Sequence, residues 1–359
     1  MDTCTMEQTI LDRLTLAQLP DLGPRGRREL LARGALADTL AHPEAHADVF
    51  SAAARARLRT GEARREARAS ARSARARGAR IVGLGAADYP AWLARTFDPP
   101  PALFVKGVLV PDEGARAVAL VGSRAATPLG LAFARTLGRD LARAGVTVVS
   151  GLARGIDAAA HRGALDAGGR TVAILGSGLA RVYPSENREL AASIVATRGA
   201  LVSEFPMNAA PLKGNFPRRN RVIAGWGRAV VVVEAGEKSG ALITARLALE
   251  EGREVMAVPG HPTWTSASGA NALLGDGAAL VRNAGDVLEE LDLAPALEVE
   301  KETTVQDEVL VALKPDAPSS VDEILSRSGL GLPELLARLG ELELAQQVRR
   351  LPGPLFVRS

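Results

Sequence analysis

Residues 117–157 read AVALVGSRAATPLGLAFARTLGRDLARAGVTVVSGLARGID. An unbroken apolar run, Ala117–Val121, meets a Gly-Ser-Arg turn and then a helix-length stretch. A second apolar run, Val146–Val149, follows and ends in another glycine-rich turn. A strand buried on both faces reads as continuous Val/Ile/Ala, not as alternation. The pattern recurs at Thr171–Leu175, Leu201–Glu204, Ala229–Glu234, Glu254–Val258 and Ala278–Val281. Strand, helix and strand at this spacing predict right-handed βαβ units. The fold class is therefore α/β: a doubly wound, Rossmann-like parallel sheet over 81–295.

The flanks read differently. Residues 1–54 carry eight acids and five Arg and read as short helices. Within them Leu19–Leu31 (LPDLGPRGRRELL) looks like a helix-hairpin-helix turn, a device that offers backbone N–H groups to phosphate. Residues 55–80 hold ten Arg against Glu62 and Glu66. Ala and Arg are good helix formers, so an exposed, Arg-rich helical linker is expected. The boundaries drawn are 1–64 for a helical, SAM/helix-hairpin-helix-like domain and 65–80 for the linker. Residues 303–359 read as three helices (Val305–Leu313, Val321–Ser326, Pro333–Leu344) and a hairpin over 347–358, the pattern of a winged helix. Its third helix carries Glu334, Glu341 and Glu343 against Arg338. Phosphates would repel such a helix, so this domain is expected to contact protein or regulate, not to read duplex DNA.

Composition removes several classes. The chain has 359 residues and is 47% hydrophobic, with no apolar run long enough for a membrane span. The N-terminus lacks a basic region followed by an apolar core, so no secretory signal is expected. The lone cysteine, Cys4, excludes a disulfide scaffold and a Cys-based zinc site and fits a reducing cytoplasm. Of 44 basic residues only five are Lys.

In an open parallel sheet, ligands bind beyond the carboxyl ends of the strands. The turns there are Gly122-Ser123-Arg124, the stretch from Ser150 through Gly151 to Asp157, Gly176–Gly178, and Glu234 through Gly240. Glycines admit a ligand to the backbone, and a helix N-terminus suits an anion. Arg124 adds a bidentate fork for phosphate and Ser123 a hydroxyl. The dinucleotide and P-loop fingerprints are both absent, which disfavours NAD and ATP.

The stretch Lys213–Gly225 (KGNFPRRNRVIAG) puts Lys213, Arg218, Arg219 and Arg221 around Phe216 with no acid. Cations that neutralise a backbone beside a ring that stacks on an unpaired base suit single-stranded nucleic acid. The competing expectation is a core phenylalanine with paired arginines. Four histidines form no metal or catalytic constellation. Asp157 is expected to cap a helix and His161 to pack or bond locally, so no cofactor, metal or catalytic residue is assigned.

These residues resemble a known family. The runs Val121–Arg124, Val149–Asp157 with Ala160-His161, Leu175–Leu179 with Tyr183-Pro184 and Asn187, Ser203-Glu204, Phe216–Gly225, Val233–Ala235, Ser239-Gly240, Thr244-Ala245 and Ala257–Gly260 closely resemble DNA-processing protein A (DprA, or Smf). The resemblance implies a non-enzymatic protein of natural transformation and recombination, active in competent cells. Such a protein binds and protects incoming single-stranded DNA, loads RecA recombinase onto it and helps displace single-strand-binding protein. A homodimer without membrane contact is implied. The site residues implied are Gly122, Ser123, Arg124, Gly151, Lys213, Phe216, Arg218, Arg219, Arg221 and Gly240, with Asn220 organising the turn. The alternative is a Rossmann-like nucleoside-monophosphate phosphoribohydrolase. That group needs paired glycines and a Glu that Ser239–Arg246 lacks. A third reading is a transcription factor built on the winged helix.

Overall fold

The structure, a computed structural model, describes residues 3–19, 21–110, 112–294, 308–313, 318–344, 348–351, 353 and 355–358. The chain divides into two compact units, Met1–Ala296 and Leu297–Ser359.

The first unit opens with helices α1 (Thr3–Ala17), α2 (Pro24–Ala32), α3 (Leu36–Ala41), α4 (Ala52–Arg59) and α5 (Glu62–Ala76). Strand β1 (Arg80–Gly83), helix α6 (Ala91–Ala94) and strand β2 (Ala102–Gly107) follow. The repeated unit then runs β3 (Ala117–Val121), α7 (Pro128–Arg143), β4 (Thr147–Ser150), α8 (Ile156–Asp166), β5 (Thr171–Ile174), α9 (Arg188–Ala196) and β6 (Ala200–Ser203). It continues through α10 (Asn215–Trp226), β7 (Ala229–Val232), α11 (Gly240–Glu250), β8 (Glu254–Ala257), α12 (Ser268–Gly275), β9 (Ala279–Leu280) and α13 (Ala284–Glu290).

The sheet order is β1-β2-β6-β5-β4-β3-β7-β8-β9. From β3 to β9 every pairing is parallel. The strands β3 to β7 are wholly buried because helices cover both faces. Two strands outside the sequence expectation, β1 and β2, extend one edge antiparallel, with Phe104 opposite Ser203. The chain leaves β3 towards β6 on one side and returns to β7 on the other. The carboxyl ends of β3 and β7 therefore form a topological switch point, where open sheets bind ligands.

The Arg-rich linker expected over 65–80 is corrected by the structure. Residues through Ala76 belong to α5, which buries Ala63, Ala67 and Ala74 along one stripe. Ala67 and Ala74 share a core with Leu14 of α1, Phe104 and Leu175. Arg65, Arg68, Arg72 and Arg75 line the opposite, exposed face at three- and four-residue intervals. The hairpin near Leu19–Leu31 braces the fold: Arg27 grips the Asp98 carboxylate at 2.7–3.1 Å and Arg28 lies 5.1 Å over the Phe97 ring.

The second unit contains α14 (Glu308–Ala312), β10 (Ser319–Ser320), α15 (Val321–Ser328), α16 (Leu332–Leu344), β11 (Val348–Leu351) and β12 (Leu355–Arg358). The sheet order is β10-β12-β11, the wing hairpin plus a short third strand. Ser320 and Glu323 close a capping box on α15. Val309, Ile324, Leu335, Leu339 and Phe356 form its core. The expected helix start at Val305 lies outside the described residues. No helix among the described residues is long and apolar enough to cross a membrane.

Candidate nucleic-acid interface

A cleft of about 660 Å³ opens at the switch point. The turn Gly122–Ala125 after β3, the turn Gly236–Gly240 after β7, and Arg219 and Asn220 of α10 form its walls. An adjoining recess of about 310 Å³ shares Arg124 and Arg219 and adds Gly151, Arg154, Tyr183 and Phe216.

Glu234 builds the Arg124 turn. Its backbone oxygen accepts from Ser123 N at 2.7 Å, and its carboxylate accepts from Thr127 N at 3.1 Å and Thr127 Oγ1 at 2.6 Å. The Ser123 amide is therefore engaged, and its hydroxyl already accepts from Ala125 N at 3.2 Å. That hydroxyl can still donate. The Arg124 side chain is exposed and has no acid partner among the described residues; its guanidinium lies 5.2 Å from the Phe216 ring centroid. Lys238 on the facing turn is likewise exposed and unpaired among the described residues.

The second turn holds the floor. Leu152 has a left-handed backbone (φ 56°) and a fully buried side chain; Asn187 Nδ2 fixes its carbonyl at 2.9 Å. Gly155 has φ 73°, and a Cβ there would overlap the Ser123 carbonyl oxygen. Asp157 does not cap α8. Its carboxylate draws the turn together by accepting from Gly151 N at 3.1 Å and Ala153 N at 3.2 Å. Arg219 is buried and donates to the carbonyls of Gly151, at 2.7 Å, and Ile174. A Cβ on Gly151 would lie 2.7 Å from both the Arg219 guanidinium and the Asp157 carboxylate, so only glycine fits between them. Burial pushes the Asp157 carboxyl up. Burial also draws Arg219 down to about 10, with Asp157 opposing and Arg124 adding to the shift.

Segment 213–225 is helical from Asn215, which sorts its residues by face. Phe216, Arg219, Asn220 and Ile223 turn to the two cavities. Arg218 and Arg221 turn away and meet Glu204 at 3.1 and 2.6 Å; Arg221 also meets Asp98. Arg221 therefore does not line the cleft but braces the helix behind it, and Arg218 carries a paired charge over Phe205. Asn220 sits within α10, not in a turn, with Nδ2 3.4 Å from the Gly240 carbonyl. Lys213 is exposed and lines neither cavity. Gly240 opens α11 behind the Ser239 cap. The turn Gly176–Gly178, expected as a fourth phosphate turn, is filled by packing: Gly176 abuts the Phe216 ring, and Gly178 the 206–207 backbone. Sequence reasoning passed over Glu234, Lys238 and Tyr183 as site residues. Tyr183, 43% exposed, pairs with Phe216 at 5.7 Å, and a Tyr-Pro beside a glycine turn was the available signal.

His161 is buried behind the floor. Thr171 Oγ1 donates to Val148 O at 2.6 Å, so it accepts from His161 Nδ1–H at 2.6 Å. Burial, then Arg219 and Arg162, depress its pKa from 6.5 to about 3. The folded value lies below the unfolded one. Its contribution is therefore complete above pH 6.5 and lost as pH falls from there towards 3. Unfolding free energy should fall by up to about 1.4 kcal/mol per pH unit from this residue across that window. His161→Gln should flatten that slope in urea titrations at pH 7 and 5; an unchanged slope would remove His161 as its source. No group of three or more metal-binding side chains occurs among the described residues.

The profile of DNA recombination-mediator protein A matches residues 80–292, more than half of the chain. The chain belongs to the DNA recombination-mediator protein A (DprA) family. The profile of the DprA winged helix domain matches 293–354. Protein Smf of Escherichia coli is 43% identical over 276 residues, 74% of each chain. DNA processing protein DprA of Bacillus subtilis is 41% identical over 217 residues, 60% of this chain and 73% of its own. Among solved structures, DNA processing protein A of Streptococcus pneumoniae superposes with a TM-score of 0.66 at 33% identity. It covers 77% of this chain and 95% of its own. DNA processing protein A of Helicobacter pylori, described for its single-stranded DNA binding mode, gives 0.52 at 29%, covering 59% and 95%.

Proposed function

We propose that the protein binds single-stranded DNA with little sequence preference across the switch-point cleft, and does so without catalysing a reaction. One observation carries the reading: the unpaired Arg124 fork stands between the cleft and the Phe216 ring. A phosphate on Arg124 and Lys238 would place an adjacent base against Phe216 and Tyr183. Gly122, Gly151 and Gly240 keep side chains off that path, and Ser123 offers a hydroxyl. Lys213 and Arg218 lie outside the cavities and are proposed only as contacts for the flanking strand. The relative from Helicobacter pylori, named for single-stranded DNA binding, supports the same ligand.

Phe216→Ala should weaken oligo(dT) binding by about 1–3 kcal/mol and leave the salt slope unchanged, because stacking releases no counterions. A lower melting temperature with unaltered binding by the folded fraction would make Phe216 a core residue instead.

The exposed stripe Arg68, Arg72 and Arg75 is proposed to add sequence-independent affinity. Because α5 shares a core with the sheet, deleting it would uncover Phe104; point substitution is the cleaner test. Changing the three to Gln should lower the salt slope for oligo(dT) by up to about 2, at roughly 0.7 per phosphate contact. Preference for single strands should remain, and its loss would move the specific site to α5.

By resemblance we further propose that the protein acts in natural transformation, as a cytoplasmic homodimer that loads RecA where single-strand-binding protein coats the DNA. The protein should then speed RecA filament growth on coated single strands; no acceleration would remove that role.

A further inference from the structure

Ser266 lines the main cleft and also a second recess of about 510 Å³. Leu129, Phe133, Pro259, His261 and Trp264 form much of that recess. Trp264 is 45% exposed, whereas Trp226 is fully buried and Trp92 is half-buried beneath the Arg253 guanidinium. The His261 ring lies 5.6 Å from the Trp264 ring at an interplanar angle of 34°. The loop that carries both is anchored: Gly260 and the Asn271 side chain exchange two hydrogen bonds of 3.0 Å. His261 Nδ1 accepts from Thr263 N at 3.3 Å.

The recess offers no Arg or Lys, and its one acid, Glu234, is held by Thr127. It is therefore unsuited to phosphate and suited to a flat, uncharged ring. The main cleft then has a ring pair on either side: Phe216 with Tyr183 beyond Arg124, and Trp264 with His261 beyond Ser266. The cations Arg124 and Lys238 belong to the cleft between them. Base, phosphate, base is the order in which one strand presents its chemistry. The geometry points to the His261–Trp264 recess as a second base platform, occupied by a nucleobase of the same strand that passes Arg124. This rests on the single-strand reading above. Continuity through Ser266 favours this occupant over a second copy of the chain.

The test titrates the protein with oligo(dT) of about 16 nucleotides, following anisotropy and tryptophan emission together. Trp264→Ala should weaken binding by about fivefold to tenfold with an unchanged salt slope, and should lack the tryptophan quenching expected of the wild type. Trp264→Phe, which preserves the packing, should recover most of the affinity but not the quenching. Unaltered affinity and quenching in Trp264→Ala would overturn the platform. So would a shift in sedimentation without a change in DNA affinity, which would assign the recess to a second copy. Arg124→Ala runs in parallel. If it loses binding while Trp264→Ala does not, the platform alone fails. If it too binds normally, the single-strand reading fails with it.

Discussion

Arg124→Ala should lower affinity for oligo(dT) by about 1.5–3 kcal/mol, roughly 10- to 150-fold, without lowering the melting temperature. Two features make the expected loss large. The guanidinium has no acid partner among the described residues, so no internal ion pair must break before phosphate binds. It also lies against Phe216, so its removal loosens the ring that receives the base. The salt slope should flatten as well, unlike that of Phe216→Ala. Arg124→Lys should recover only part of the loss, because an ammonium lacks both the bidentate fork and the flat face that rests on the ring. Equal affinity in Arg124→Ala, measured by fluorescence anisotropy, would exclude this turn as the phosphate site.

Arg219→Met should act on the fold before it acts on the ligand. The substitution removes the nearby cation that offsets burial of the Asp157 carboxylate and takes the guanidinium donor from the Gly151 and Ile174 carbonyls. Leaving a buried acceptor without its partner costs about 1–3 kcal/mol. Urea midpoints should shift accordingly. Adding Asp157→Asn should restore part of the stability, because the buried carboxylate is gone. The double variant should still bind oligo(dT) weakly, since the Gly151–Asp157 turn has lost its ties. A single variant as stable as wild type would show that Arg219 is not the floor described here.

The parallel core was legible because its strands are buried on both faces. Ala117–Val121 and Ala229–Val232 appear in the sequence as uninterrupted apolar runs. The two antiparallel strands were not. Arg80–Gly83 at the edge is half exposed, and Ala102–Gly107 beside it follows three prolines that read as a loop. The helix α5 was misread because alanine is all it buries. A stripe of Ala63, Ala67 and Ala74 among arginines gives little hydrophobic contrast, although methyl groups suffice for close packing.

The site was legible in its turns and less so in its helix. Glycines after β3 and β7 line the cleft, and Gly151 after β4 lines the adjoining recess. The basic segment was read as a string of charges around Phe216. A helical period of 3.6 separates Phe216, Arg219 and Asn220 from Arg218 and Arg221, and only the first set faces the cavities. Asp98, which with Glu204 claims the second set, lies 123 residues from Arg221, and Glu204 lies across the loop that precedes α10, so neither pairing follows from the helical period alone.

The cleft is proposed to take a single-stranded polyanion, not a mononucleotide or a duplex. The most direct measurement is a competition titration of the full chain with labelled oligo(dT), duplex of equal length and AMP, at two salt concentrations. The account predicts that oligo(dT) binds tightest and weakens steeply with salt, that duplex binds less well, and that AMP stays intact and competes poorly. Equal affinity for duplex, consistent with reading by the winged helix, or release of free adenine from AMP would contradict it.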